Sequence, residues 1–139
     1  MCSCAEEYRA ASFVLWLNFI VFASAFPAVL IAGVDIKHWQ MSSLHDPTPL
    51  LIAFGSITML NAAGIWSLWH DRGAAAAASI KVALVADIVW NSIDIFDCLW
   101  TERHFTAAAM APLPDMLLCG YAIWSLPRDE TSSDSWWML

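Results

Sequence analysis

The chain has 139 residues, of which 60% are hydrophobic and 14% are charged, and its formal net charge is −7 at pH 7. Soluble domains average about 25% charged residues, so this composition is typical of a membrane protein. The acidic balance and the lack of any basic cluster exclude nucleic acid as a partner, because a nucleic-acid-binding surface needs clustered Lys and Arg.

Four apolar stretches are predicted to span a bilayer, because about 20 apolar residues match the roughly 30 Å hydrocarbon core. They cover approximately residues 10–33, 48–69, 74–100 and 105–126, and a polar tail follows over 127–139. The acidic N-terminus and the length of the first stretch indicate a retained span and not a cleaved signal peptide. Short connections favour antiparallel neighbours, so we expect a single all-α domain, an integral membrane four-helix bundle.

The cysteines and histidines do not predict a disulfide framework or a metal site. Cys98 and Cys119 should differ in depth by more than the about 7 Å limit on Cα separation in a disulfide. Cys2 and Cys4 precede the first span and are either palmitoylation sites or plain terminal thiols. The four histidines lie in connections without a shared metal-ligand spacing, so no metal ion is expected.

The third stretch carries the acids. Asp87, Asn91 and Asp94 recur at i, i+4 and i+7, so they share one face of a helix, with Asp97 at its edge. Ionisable residues within a membrane face a bundle interior or a cavity and mark a functional site by default. The other side of this helix is predicted to face lipid through Leu84, Val85, Ile88, Val89, Ile93 and Phe96.

Polar residues of the other stretches fall at a similar depth, so three or four of the spans are expected to contribute to one polar patch near the midplane. We predict that Asp87, Asp94, Asn91 and Asp115 are catalytic. The predicted substrate-binding residues are Asn61, Asn18, Asp97, Tyr121 and Trp90. The alternative for an isolated Asn is a hydrogen bond to a neighbouring helix, and Asp97 near the end of its span could simply be solvated.

Paired buried acids suit acid–base chemistry. Burial disfavours the charged form of a carboxyl group, and a neighbouring carboxylate disfavours it further, so one acid should be protonated and one ionised. This is the arrangement of a general acid beside a general base. A site that is reached through the bilayer should take an apolar substrate. Epoxide opening fits, with a diol as product if water attacks and a cyclic ether if an internal hydroxyl attacks.

The small size, the four spans and the stripe Asp87, Asn91 and Asp94 resemble the small integral-membrane epoxide hydrolases and cyclases of fungal polyketide pathways, of the aurovertin and citreoviridin type. The resemblance implies polyene polyepoxide substrates, the endoplasmic-reticulum membrane and no cofactor. Larger membrane-bound terpene cyclases also protonate epoxides with acids, but they have more spans.

Two other classes of function use the same acids. A proton-coupled carrier or small-molecule binder would need them as a relay, and with four spans a carrier would need to form a homodimer. A membrane assembly protein would pair them with basic residues of a partner. Lys81, the one basic residue well inside a predicted span, lies opposite the acidic face and does not neutralise it.

Overall fold

The structure, a computed structural model, describes residues 8–32, 48–70, 74–102 and 110–127. They form four helices: α1 (Arg9–Ala32), α2 (Thr48–His70), α3 (Ala74–Glu102) and α4 (Leu113–Trp124). Every regular element in these ranges is helical, which confirms the all-α prediction. Several parts of the chain lie outside the described residues: the connection between the first two predicted spans, the tail beyond Pro127, Cys2, Cys4 and the side chain of Cys98.

Three of the helices are long and apolar enough to cross a membrane, over Arg9–Pro27, Thr48–His70 and Ala74–Asp97. At 1.5 Å per residue, a helix of about 20 residues matches the roughly 30 Å hydrocarbon core. Their large apolar side chains also face outward, which a soluble domain avoids on this scale. Examples are Ile20, Met59, Trp66, Val89 and Phe96. These helices support the prediction of a membrane protein.

The fourth helix is shorter than the predicted span over 105–126. α4 has 12 residues, and Pro112 occupies its N-cap position with Pro114 in its first turn. Proline is tolerated there because the first N–H groups of a helix have no intrahelical acceptor. The two prolines therefore set the start of α4, and Asp115 follows within its first turn.

The helices form a closed bundle. Each packs against its neighbour in the chain, α4 returns to pack against α1, and α1 also contacts α3 across the bundle. One apolar cluster joins all four helices through Leu15, Ile65, Ile80 and Cys119, among others. A second joins the later half of α1 to the first half of α2, with Trp90 of α3 packed against it.

Close approach of three helices is centred on Gly64 of α2. A Cβ atom at this position would lie 3.2 Å from both Cδ atoms of Leu15 on α1 and 3.5 Å from Cβ of Ala83 on α3. Small residues at helix interfaces allow such contact between membrane helices. The missing side chain at Gly64 therefore helps to set how α1, α2 and α3 sit against one another.

The prediction for the lipid face of α3 was wrong for Leu84 and only partly right for Ile88. Val85, Val89, Ile93 and Phe96 are exposed on the outer surface as predicted, whereas Leu84 is fully buried in the first apolar cluster and Ile88 is half-buried against it. Residues three apart lie on the same side of a helix, so Leu84 shares its face with the buried Asp87. Lys81 is exposed, as expected from its position away from the acids.

Candidate functional site

The polar stripe of α3 faces the interior of the bundle, as its spacing predicts. Asp87 is 0% exposed, Asn91 is 7% exposed and Asp94 is 8% exposed. Side chains at i, i+4 and i+7 lie on one side of a helix, so packing of that side against the other helices buries all three. Each must then find partners within the protein or in a bound molecule.

Asp87 is held by two asparagine amides from two other helices. Nδ2 of Asn18 on α1 donates to Oδ2 at 2.8 Å, and Nδ2 of Asn61 on α2 donates to Oδ1 at 3.0 Å. Nδ2 of Asn61 also donates to the backbone oxygen of Ile57 at 3.1 Å. Asp87 thus joins α1, α2 and α3 at a fully enclosed point, and it does not line the cavity described below.

Asp115 is the acid that α4 brings to this region. Nδ2 of Asn91 donates to its Oδ2 at 2.6 Å, and Sγ of Cys119 lies 3.9 Å from its Oδ1. Nδ2 of Asn18 lies 3.5 Å from the same sulfur, so Asn18 and Cys119 connect the environments of Asp115 and Asp87. The prediction that polar groups from different helices meet in one patch is confirmed in these contacts.

A cavity of about 320 Å³ opens beside this network. Its described walls are mainly apolar and come from α1, α2, α3 and the start of α4. The polar residues that line it are Asn18, Asn91, Asp94 and Asp115, and the apolar ones are Leu17, Val21, Phe22, Ala25, Phe54, Trp90, Ala111 and Pro112. An apolar pocket with a few convergent polar groups is the usual form of a small-molecule site.

Asp94 differs from the other two acids. Its side chain is 8% exposed and lines the cavity, yet it makes no hydrogen bond to any group in the described part of the chain. Asp97, one turn away, is a source of repulsion and not of stabilisation for it. A buried carboxyl group without a hydrogen bond is costly, so a hydrogen-bond donor on a molecule in the cavity would stabilise Asp94.

The remaining predicted residues divide between the site and its surroundings. Trp90 lines the cavity and packs edge-to-face against Phe54, with ring centroids 5.7 Å apart. Asn61 lies behind Asp87, and Asp97 is half-buried outside the cavity wall. Tyr121 is 57% exposed on the outer surface beside Trp124, so the structure does not bring it to the site.

Two aromatic residues of the cavity were not predicted. The rings of Phe22 and Phe54 are in tilted contact, with centroids 5.7 Å apart, and both residues line the cavity. Phe22 follows Asn18 by one helical turn, and this i, i+4 spacing places both residues on the same face of α1. That spacing is a signal that could have identified Phe22. Phe54 precedes Asn61 on α2 by seven residues, the same two-turn spacing as that between Asp87 and Asp94, and could have been identified in the same way.

Within the described residues, no group of three or more His, Cys, Asp or Glu side chains is arranged to hold a metal ion. Comparisons with models of protein families, with curated proteins and with solved structures found no match to this chain. Its fold and site define it as a helical membrane protein with an acid-bearing, largely apolar cavity between its helices. The function is therefore argued from the chemistry of that cavity.

Proposed function

We propose that this chain is a multi-pass enzyme of the endoplasmic-reticulum membrane that opens epoxides of an apolar polyene or polyketide without a cofactor. The observation that carries the proposal is that Asp94 of α3 and Asp115 of α4 line the same apolar cavity. Two carboxyl groups from different helices that line one cavity can serve as the general acid and the general base of one reaction.

The different surroundings of the two acids suggest different roles. Asp115 accepts a hydrogen bond from Asn91, which suits an ionised carboxylate because that form can only accept. Asp94 has no donor in the described part of the chain, so its neutral, protonated form is the less costly one. Asp94 is therefore the proposed general acid and Asp115 the proposed general base.

The reaction proceeds with one proton moving at each acid. Asp94 gives its proton to the epoxide oxygen as one C–O bond of the ring breaks. Water or an internal hydroxyl group forms the new C–O bond at carbon and gives its proton to Asp115. Transfer of that proton back to Asp94, through water or the product hydroxyl, restores the starting state. The product is a diol in the first case and a cyclic ether in the second.

Asp87 takes a supporting role in this mechanism. The spacing on α3 alone favours Asp87 and Asp94 as the reacting pair, but Asp87 is fully buried between Asn18 and Asn61. It cannot touch a molecule in the cavity while those contacts hold. It instead positions Asn18, which lines the cavity and also contacts Cys119 next to Asp115.

The test is product analysis by mass spectrometry in a host that makes a polyene epoxide. Wild-type protein is expected to yield a product with one added water, or an isomeric cyclic ether. Asp94→Asn and Asp115→Asn should each lower turnover by about 10²–10⁴-fold, the usual contribution of a general acid or base. Lys81→Gln is the control, since it removes a charged group of α3 that is exposed on the outside of the bundle and does not line the cavity.

Normal turnover in both cavity variants would contradict this mechanism. Incubation in H₂¹⁸O separates the two products, since a diol formed by attack of water gains one ¹⁸O atom and a cyclic ether gains none. A folded wild-type protein that changes none of a panel of apolar mono- and polyepoxides would contradict epoxide opening itself.

Asp94 makes no hydrogen bond within the described part of the chain, and this also favours a second candidate function. The candidate is a proton-coupled carrier or binder of an apolar molecule. A cavity carboxyl group without an internal hydrogen bond is free to gain and lose a proton as a ligand enters and leaves. A carrier would take up its ligand into proteoliposomes in response to a pH gradient and release it chemically unchanged. Altered covalent structure of the ligand would exclude this candidate.

A further inference from the structure

Among the described residues, the cavity wall carries acidic side chains and no basic ones. The described residues that line it include two aspartates and two asparagines, but no lysine, arginine or histidine. The basic residues that the described helices carry, Arg9, His70 and Lys81, are exposed on the outside of the bundle. The acids of the cavity therefore receive no counter-charge from the described helices.

Asp94 supplies a second observation, independent of this charge imbalance. It lines the cavity at 8% exposure and makes no hydrogen bond within the described part of the chain. The Nδ2 atom of its neighbour Asn91 already donates to Asp115. A buried acceptor without a donor points to a donor on the molecule that fills the cavity.

Aromatic rings form part of the same wall. The ring centroids of Phe22 and Phe54 are 5.7 Å apart with a 54° angle between planes, and those of Phe54 and Trp90 are 5.7 Å apart with a 72° angle. Trp90 precedes Asp94 by one helical turn, so the indole and the carboxyl group lie on the same side of α3. Aromatic faces attract cations within about 6 Å of the ring centroid, and tryptophan does so most strongly.

We infer that this cavity binds an apolar organic cation, with its ammonium group at Asp94 and Asp115 and its hydrocarbon part against Phe22, Phe54 and Trp90. An inorganic cation fits the wall poorly, since hard cations need about six oxygen ligands and the described wall is mainly apolar. A protonated amine supplies a positive charge that favours loss of the proton from Asp94, and an N–H donor for the resulting carboxylate, which has no donor in the described part of the chain. This binding activity goes beyond epoxide opening and requires no turnover.

The test compares a cation with a neutral molecule of the same shape. The probe is tritiated N,N-dimethyl-4-phenylbutylamine, and its neutral counterpart is (5-methylhexyl)benzene, which has a CH group in place of the protonated nitrogen. Equilibrium binding is measured with the full chain in dodecyl maltoside, with empty micelles subtracted to remove partitioning into detergent. We expect the amine to bind at least about tenfold more tightly than the hydrocarbon, as a charge-assisted hydrogen bond would provide.

Variants then test which residues bind the ammonium group of the probe. Asp94→Asn and Asp115→Asn should each remove most of the preference for the amine, and Lys81→Gln, which removes a charge on the outer face of α3, should retain it. Equal binding of amine and hydrocarbon to the wild-type protein would overturn the inference without any variant. A preference that survives both cavity substitutions would also overturn it, because the cation would then bind elsewhere.

The result for amine binding can be distinguished from the result for epoxide turnover. Amine binding without turnover of any epoxide would support the cation site and contradict the enzyme. Turnover that depends on Asp94 and Asp115, with no preference for the amine, would support the enzyme and contradict the cation site.

Discussion

Asn18 and Asp87 lie 69 residues apart in the chain, and a hydrogen bond of 2.8 Å joins the amide of the first to the carboxyl group of the second. Asn61 completes the arrangement from a third helix at 3.0 Å. Asp87 is 0% exposed, so both of its oxygens depend on these two amides. The hydrogen bonds of Asn18 and Asn61 to Asp87 therefore hold α1, α2 and α3 together in a bundle whose outer surface is apolar.

Removal of one residue of this hydrogen-bond network should destabilise the bundle. We expect Asn18→Leu to lower the free energy of unfolding by about 1–3 kcal/mol, the cost of a buried polar group that loses its partner. The double variant Asn18→Leu with Asp87→Leu should recover part of that loss, because replacing both partners by apolar groups is often close to neutral. A double-mutant cycle from denaturant unfolding in detergent micelles measures the coupling. Strictly additive effects would contradict a direct interaction between the two residues.

The stability of the bundle should depend on the size of the side chain at position 64. A Cβ atom there would already lie 3.2 Å from the side chain of Leu15, so Gly64→Val should cost about 1–3 kcal/mol through overpacking. Gly120→Val is the matched control, since no atom lies within 4 Å of its Cβ position and the residue is exposed. Thermal unfolding of the two variants in the same detergent should show the larger loss for Gly64→Val. A similar loss in both would mean that helix propensity, and not close packing, decides the effect.

Cys119 should be chemically protected. Its side chain is 0% exposed and lies beside Asn18 and Asp115 in the interior of the bundle. In a variant with Cys2→Ser, Cys4→Ser and Cys98→Ser, we expect the remaining thiol to react with N-ethylmaleimide only after denaturation, because both the reagent and the thiolate are excluded from that position. Mass spectrometry reports the reaction. Rapid modification of the folded protein would contradict the packing of α4 against α1.

Met59 tests which surface faces lipid. Its side chain is 71% exposed in the middle of α2. A charged residue at the centre of a membrane helix raises the apparent free energy of insertion by about 2.5–3.5 kcal/mol, so Met59→Asp should reduce the fraction of chains integrated into microsomes. Met59→Leu should insert as the wild type does, as judged by resistance to alkaline extraction. Equal integration of the two variants would indicate that this face of α2 is covered by protein or water.

The helical class and the inward-facing acids were predictable from local pattern alone. Long apolar stretches of about 20 residues predict membrane helices because the bilayer core has a fixed thickness. The spacing of Asp87, Asn91 and Asp94 predicts one shared face because a helix turns 100° per residue, and the structure buries all three. The same rule, applied to Leu84, would have placed that residue in the core and not in contact with lipid.

Which acids share a cavity was decided only by tertiary structure. Periodicity gives the direction of a side chain around its own helix, but not the rotation or depth of one helix relative to another. Close packing at Gly64 and the start of α4 after Pro112 set those quantities. They enclose Asp87 between Asn18 and Asn61, bring Asp115 to the cavity beside Asp94, and leave Tyr121 on the outer surface. Such long-range relationships depend on how whole helix surfaces fit together, and no local stretch of sequence contains that information.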